Sequence, residues 1–308
     1  MTLRRGLGTA MVALVVTAAG QAPAQSSPQG VQPNPPSWGL DRIDQRTGLD
    51  RNYRYATEAA DVTVYVIDSG VDAKHPDFEG RVAVGKDFLG DGTGTDTTDT
   101  NGHGTRLAGV AAGKTFGVAK KARIVPVRVI DKDGGGATEK IIAGIDWVRQ
   151  NAHQPAVAVL GIGGAPNEKL DDAVRALAGA VPVAVPAGGS GSDASAFSPA
   201  RVTEALTVAG SDIQDKASPR SNYGSTVDLY APGVDIPGPV AGGQGASPLT
   251  GTSMSAAFVA GAAALYRSRH PQATAAQVAD GLVAAASKNA LSGVPDGTPN
   301  RLLYTSPA

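Results

Sequence analysis

The sequence predicts an α/β fold with a mostly parallel central sheet and helices on both faces. Short runs rich in Val, Ile and Ala recur along the chain, each the length of a strand buried on both faces. Between them lie stretches whose apolar residues repeat at helical spacing. Strand and helix signals that alternate in this way indicate βαβ units, which place helices over both faces of a parallel sheet.

Taken in order, the chain begins with Arg4 and Arg5, an apolar run from Leu7 to Ala19, and a small-x-small site at Ala22-Pro23-Ala24. Residues 1–24 therefore read as a secretory signal peptide and predict a secreted, extracellular protein. The apolar run falls short of the ~20 residues a spanning helix needs, so no membrane association is expected after cleavage. Residues 25–37 contain the stretch SSPQGVQPNPPS and read as a flexible leader. From Trp38 the strand candidates are Val62–Ile67, Ala122–Ile130, Ala156–Ile162, Val181–Val185 and Ala205–Val208. The helix candidates are Gly104–Gly113, Thr138–Gln150, Asn167–Gly179, Thr252–Arg269 ending at Pro271, and Ala273–Ser287. No internal repeat interrupts this series, so residues 38–308 form one domain of about 270 residues.

Composition narrows the chemistry. A net charge of −1, near −3 once Arg4 and Arg5 are removed, gives no basic face for nucleic acid. With no cysteine in the chain, no disulfide and no thiolate nucleophile or ligand is available. No His/Asp/Glu group stands at metal-ligand spacing, so no cofactor is expected for catalysis. Nothing in the pattern signals an oligomer, and a monomer is expected.

Three residues stand in unusual local settings. His103 lies in Asp99-Thr-Asn-Gly-His-Gly-Thr105, where flanking glycines free the backbone and let a partner approach the imidazole. Taken alone, such a histidine is more often structural than catalytic. Asp68 follows the strand Val62–Ile67, at the end of a parallel strand where functional groups of such sheets gather. There a carboxylate either orients a histidine or caps a turn. Ser253 lies in Leu249-Thr-Gly-Thr-Ser-Met-Ser255, directly before an alanine-rich helix. It is either an N-cap or a nucleophile beside the positive end of a helix.

Asp68-Ser-Gly, Asn101-Gly-His-Gly-Thr105 and Gly251-Thr-Ser-Met-Ser255, in that order, resemble the three signatures of the subtilisin-like serine proteases (subtilases, peptidase S8). The resemblance runs from Trp38 to about Ala286. It includes Gly70-Val-Asp-Ala-Lys-His-Pro-Asp-Phe-Glu-Gly80, Ser198-Pro-Ala200, Ser221-Asn-Tyr-Gly224 and Asp228-Leu-Tyr-Ala-Pro-Gly233, and is nearest the proteinase K branch. It implies a subtilisin-like three-layer fold and a serine endopeptidase in which Asp68 orients His103 and His103 takes the proton of Ser253. It further implies an extended peptide or protein substrate between two edges, Gly134-Gly135-Gly136 and Gly161-Ile162-Gly163. Pro199 matches a position commonly cis in the family. Asp228, with the carbonyls of Thr203 and Ala205, matches a structural calcium site, although such a carboxylate also serves as a turn cap.

The chain departs from the family around this triad. Where the family has an asparagine that donates to the oxyanion, this sequence has Gly189, a loss expected to slow the enzyme, with Ser190 as a candidate substitute donor. Arg106 replaces a second histidine, and its charge is expected to lower a nearby imidazole. Ala257-Phe258 replace Pro-His, and Gly161 replaces a serine. Only about a dozen residues separate Ala24 from Trp38, so no folding prodomain is expected there. Three readings follow: a secreted endopeptidase of reduced rate, an impaired homologue that binds peptides or a protein partner, and an esterase using the same site.

Overall fold

The computed structural model describes residues 1–2, 30–90 and 92–306. All but the first two residues of the expected signal peptide, and the start of the leader, lie outside these. The described chain opens with β1 (Gly30–Pro33), the short helix α1 (Trp38–Ile43) and β2 (Asn52–Tyr55). There follow β3 (Thr63–Asp68), β4 (Lys86–Asp87), α2 (His103–Ala112), β5 (Arg123–Arg128), α3 (Thr138–Asn151) and β6 (Ala156–Leu160). Next come α4 (Glu168–Ala178), β7 (Val183–Pro186), β8 (Leu206–Ser211), β9 (Leu229–Pro232) and the hairpin of β10 (Ile236–Pro239) and β11 (Ala246–Leu249). The long helix α5 (Thr252–Arg269), α6 (Ala275–Ala285), β12 (Ser287–Lys288) and β13 (Arg301–Leu302) complete it.

Nine strands form the main sheet in the order β12-β13-β9-β8-β7-β6-β3-β5-β4, and only the β12–β13 pair is antiparallel. β3 shows how the sequence dictates this. All six of its residues are buried. Val64 and Val66 enter the core shared with α2, α5 and α6, while Tyr65 and Ile67 enter the core shared with α3 and α4. That is the period-two alternation of a strand covered on both sides. β3 is also where the strand order reverses, with β5 on one side and β6 on the other. A parallel sheet opens a crevice beyond the strand ends at such a point.

Helix α5 threads through the larger core. Its alanine-rich sequence gives it no polar face, and it is buried along nearly its whole length. Small residues allow close approach: a Cβ added at Gly261 would lie 2.6 Å from Val118 Cβ and 2.7 Å from the Ala111 carbonyl. Phe258, where the family has histidine, is fully buried against Gly39 of α1. α6 starts later than expected, because Thr274 and Gln277 close a reciprocal capping box. The five expected strands all form, with ends within three residues of those read from the sequence.

The expectation of a flexible leader through residue 37 is corrected. β1 pairs antiparallel with β2, Gly30 opposite Tyr55 and Pro33 opposite Asn52. The reason is a long-range polar contact. Lys120, 5% exposed, donates to Gln32 Oε1 at 2.6 Å, and Gln32 Nε2 donates to the Thr115 carbonyl at 3.0 Å.

Candidate active site

Asp68 is the last residue of β3 and His103 the first of α2, so both sit at the crevice. His103 Nδ1 lies 2.9 Å from each oxygen of Asp68. A carboxylate only accepts, so Nδ1 carries the proton and Nε2 is left with its lone pair facing outward. Asp68 is 1% exposed, and its Oδ1 also accepts the Ser69 N–H at 2.7 Å. Burial by itself lowers the His103 imidazole. The charge and hydrogen bond of Asp68 and the charge of Asp99 outweigh that burial and the opposing Arg106, so His103 titrates above its ordinary value. The expected depression by Arg106 is therefore present but overruled. Its guanidinium is turned away, donating to Ser247 Oγ of β11 at 2.5 Å.

Ser253 is the second residue of α5, and its Oγ approaches the Gly161 carbonyl at 3.5 Å, its one hydrogen-bond contact among the described residues. Gly161 joins the two halves of the site. A Cβ built on it would stand 2.1 Å from Asp68 Oδ2, 2.6 Å from Leu107 Cδ2 and 2.8 Å from His103 Cε1. The Asp68–His103 pair thus occupies the space that a side chain at 161 would fill.

Ser253 lies on the rim of a cleft of about 420 Å³. Gly163, Gly164, Pro186, Ala187, Phe197 and Ala200 supply its walls, and no charged side chain lines it. One wall is held by the exchange of backbone hydrogen bonds between Gly164 and Ser198, next to the cis Ser198–Pro199 bond. Of the expected substrate edges, Gly161 and Gly163 line this cleft and Gly134–Gly136 do not. The N–H groups of Gly134 and Gly135 are turned inward onto the Asp131 carbonyl and carboxylate. Asn101 ties that loop to His103 by donating to the Lys132 carbonyl at 3.1 Å.

Residues 187–190 border the cleft. A Cβ at Gly189 would meet nothing within 4 Å. Ser190 does not replace the missing donor, because its hydroxyl is already given to Asn222 Oδ1 at 2.9 Å. Asn222, 1% exposed, also accepts the Ser190 and Ser192 N–H groups and donates to the Ala187 carbonyl. Thr252 Oγ1 accepts the Gly188 N–H at 3.1 Å, fastening the loop beside Ser253. Neither role is readable in the sequence, since each contact spans 30 residues or more.

Asp228 precedes β9, and its Oδ2 accepts the Thr207 N–H at 2.8 Å. Burial pushes its carboxyl up to about 6 against that hydrogen bond and the charge of Arg301. No group of three or more His, Asp or Glu able to hold a metal occurs among the described residues, so a cation here would rely on backbone carbonyls.

Over residues 59–302 the chain matches the model of the Subtilase family. It is 44% identical over 275 residues to an extracellular serine proteinase of Thermus sp. (strain Rt41A), covering 88% of this chain and 67% of the relative. It is 43% identical over 270 residues to alkaline serine exoprotease A of Vibrio alginolyticus, covering 87% of this chain and 50% of the relative. The chain thus spans half to two-thirds of the length of these two relatives. Among solved structures, a cold adapted subtilisin-like serine proteinase superposes with a TM-score of 0.84 at 44% identity, covering 87% of this chain and 97% of that one.

Proposed function

The chain belongs to the subtilase family, and from that premise we propose that it is a secreted serine endopeptidase acting through Asp68, His103 and Ser253, at reduced rate. The observation that carries this reading is the pairing of His103 Nδ1 with Asp68 at 2.9 Å, which leaves Nε2 as the base, beside Gly161, while Gly161 and Ser253 both line the cleft. In the forward step Ser253 Oγ attacks the peptide carbonyl carbon as its proton passes to His103 Nε2. Asp68 stabilises the imidazolium, which then protonates the departing amine. The oxyanion receives the Ser253 N–H at the start of α5, with no side-chain donor from Gly189. An extended peptide lies along Gly161–Gly163, with one uncharged side chain in the cleft. The extracellular names of the relatives support export of this chain.

Asp228 with the carbonyls of Thr203 and Ala205 would hold a structural calcium ion. A half-buried carboxylate whose charge is met by an N–H and by Arg301 fits a hard cation. Bound there, the ion supplies charge compensation and no chemistry.

A second reading, a subtilase scaffold that binds peptides without cleaving them, is favoured by Ser253 Oγ facing the Gly161 carbonyl with no hydrogen bond to His103. Labelling by a fluorophosphonate probe separates the two. The parent should label and Ser253→Ala should not. A folded parent that fails to label would remove the enzyme reading and leave the binding one.

A further inference from the structure

Behind the Asp68–His103 pair stands another carboxylate. Asp99 is 7% exposed and accepts five hydrogen bonds. Its Oδ1 takes the N–H groups of Asn101 and Gly102 at 3.0 and 2.7 Å and the Ser69 hydroxyl at 2.9 Å. Its Oδ2 takes the Thr105 N–H at 2.9 Å and the Thr105 hydroxyl at 2.6 Å. Ser69 Oγ in turn accepts the Gly104 N–H at 3.0 Å. Thr105 Oγ1 accepts the Asp72 N–H at 3.0 Å. The residue after Asp68 and the residues on both sides of His103 are therefore fastened, directly or through one hydroxyl, to a single carboxylate.

Two physical consequences follow. The first turn of a helix has N–H groups without intrahelical partners, and Asp99 satisfies those of Gly102 and Thr105 while Ser69 satisfies that of Gly104. This locks the first turn of α2, and with it His103, to the end of β3. The positive end of a helix also disfavours a protonated imidazole at its first position. A buried negative charge beside that turn opposes the effect. The charged groups facing the imidazole are Asp68 from β3, Asp99 from the segment before α2, and Arg106 from α2 itself; Gly161 lies beside it as a neutral group.

We propose that Asp99 is a positioning residue for the proton transfer: it braces β3 and α2 so that His103 keeps its alignment on Asp68, and it holds negative charge behind the imidazole. Asparagine at 99 presents one acceptor oxygen where the carboxylate presents two. An amide NH2 then opposes either the Gly102 N–H or the Thr105 N–H.

The kinetic arm of the test rests on the reading of Ser253 as nucleophile, and the titration arm does not. Histidine resonances of the purified protein, four in all, are followed by NMR against pH in the parent, Asp99→Asn and Arg106→Ala. His103 should titrate lower in Asp99→Asn and higher in Arg106→Ala. Fluorophosphonate labelling of Asp99→Asn should slow ~10- to 100-fold, the scale at which a small misplacement costs rate, with the KM for a peptide substrate little moved. Ser69→Ala, which keeps the charge and cuts the brace, should slow labelling while His103 titrates near its parent value. A folded Asp99→Asn protein whose His103 titrates as in the parent, or which labels at the parent rate, overturns the proposal. If Asp99→Asn does not fold, parent-rate labelling in Ser69→Ala overturns it instead. A parent that does not label sinks the protease reading alone, and the His103 shift still decides the role of Asp99.

Discussion

Gly189 and Gly161 both depart from the family by losing a side chain, yet a Cβ at the first meets open space and at the second meets Asp68 Oδ2 at 2.1 Å. Restoring the donor at 189 therefore needs no rearrangement, while restoring a side chain at 161 would displace the Asp68–His103 pair. Gly189→Asn is expected to raise kcat on a peptide substrate by up to ~10²-fold with little change in KM, since an oxyanion donor acts only in the transition state. Steady-state kinetics beside the parent checks this, and an unchanged kcat would mean that something other than oxyanion stabilisation limits the rate. Asp68, His103 and Ser253 were legible in the sequence because each occupies a short glycine-bearing motif at a strand end or helix start. Asn222 and Asp99 were not. Their work is done by hydrogen bonds to residues such as Ala187 and Ser69, which only the fold brings near.

Among the elements, those with long apolar patterns could be read directly, as the burial of every residue of β3 and the full span Thr252–Arg269 of α5 illustrate. The missed elements are short, and their partners are distant in sequence. β1 depends on Lys120, and the single parallel pair Leu302–Tyr230 joins β13 to β9. β10 and β11 carry three prolines and a glycine between them, a poor strand composition overridden by packing of Pro239 on Gly109 of α2. The contact of α5 with α2 is the tightest test of element packing. Gly261→Val should destabilise the protein by ~1–3 kcal/mol, because the added atoms meet Val118 and the Ala111 carbonyl. Urea unfolding should show a lower midpoint at unchanged slope, and a parent-like midpoint would mean that the two helices part readily.

For the molecule as a whole, Asp228 couples stability to pH, and the cation proposed there would couple it to calcium as well. Its folded carboxyl is raised from 3.8 to about 6, so between those values the native state binds more protons than the unfolded chain. Its contribution is therefore most favourable below pH ~4 and is lost as pH rises through 6. In chelator, Asp228→Asn should melt higher than the parent at pH 7, and the gap should close toward pH 4. Added calcium should raise the parent's Tm at pH 7 and leave Asp228→Asn unmoved; equal responses of the two proteins would remove the cation from this site.

The strand reversal at β3 brings Asp68 and His103 together early in the chain, whereas Ser253 rides on a helix that begins at residue 252 of 308. On the proposed reading of these residues, a growing polypeptide therefore carries no complete hydrolytic centre until α5 has been made. On that reading, any fragment that stops before Thr252 lacks the nucleophile needed to attack its neighbours. The order of translation would in this way keep unfinished chains harmless.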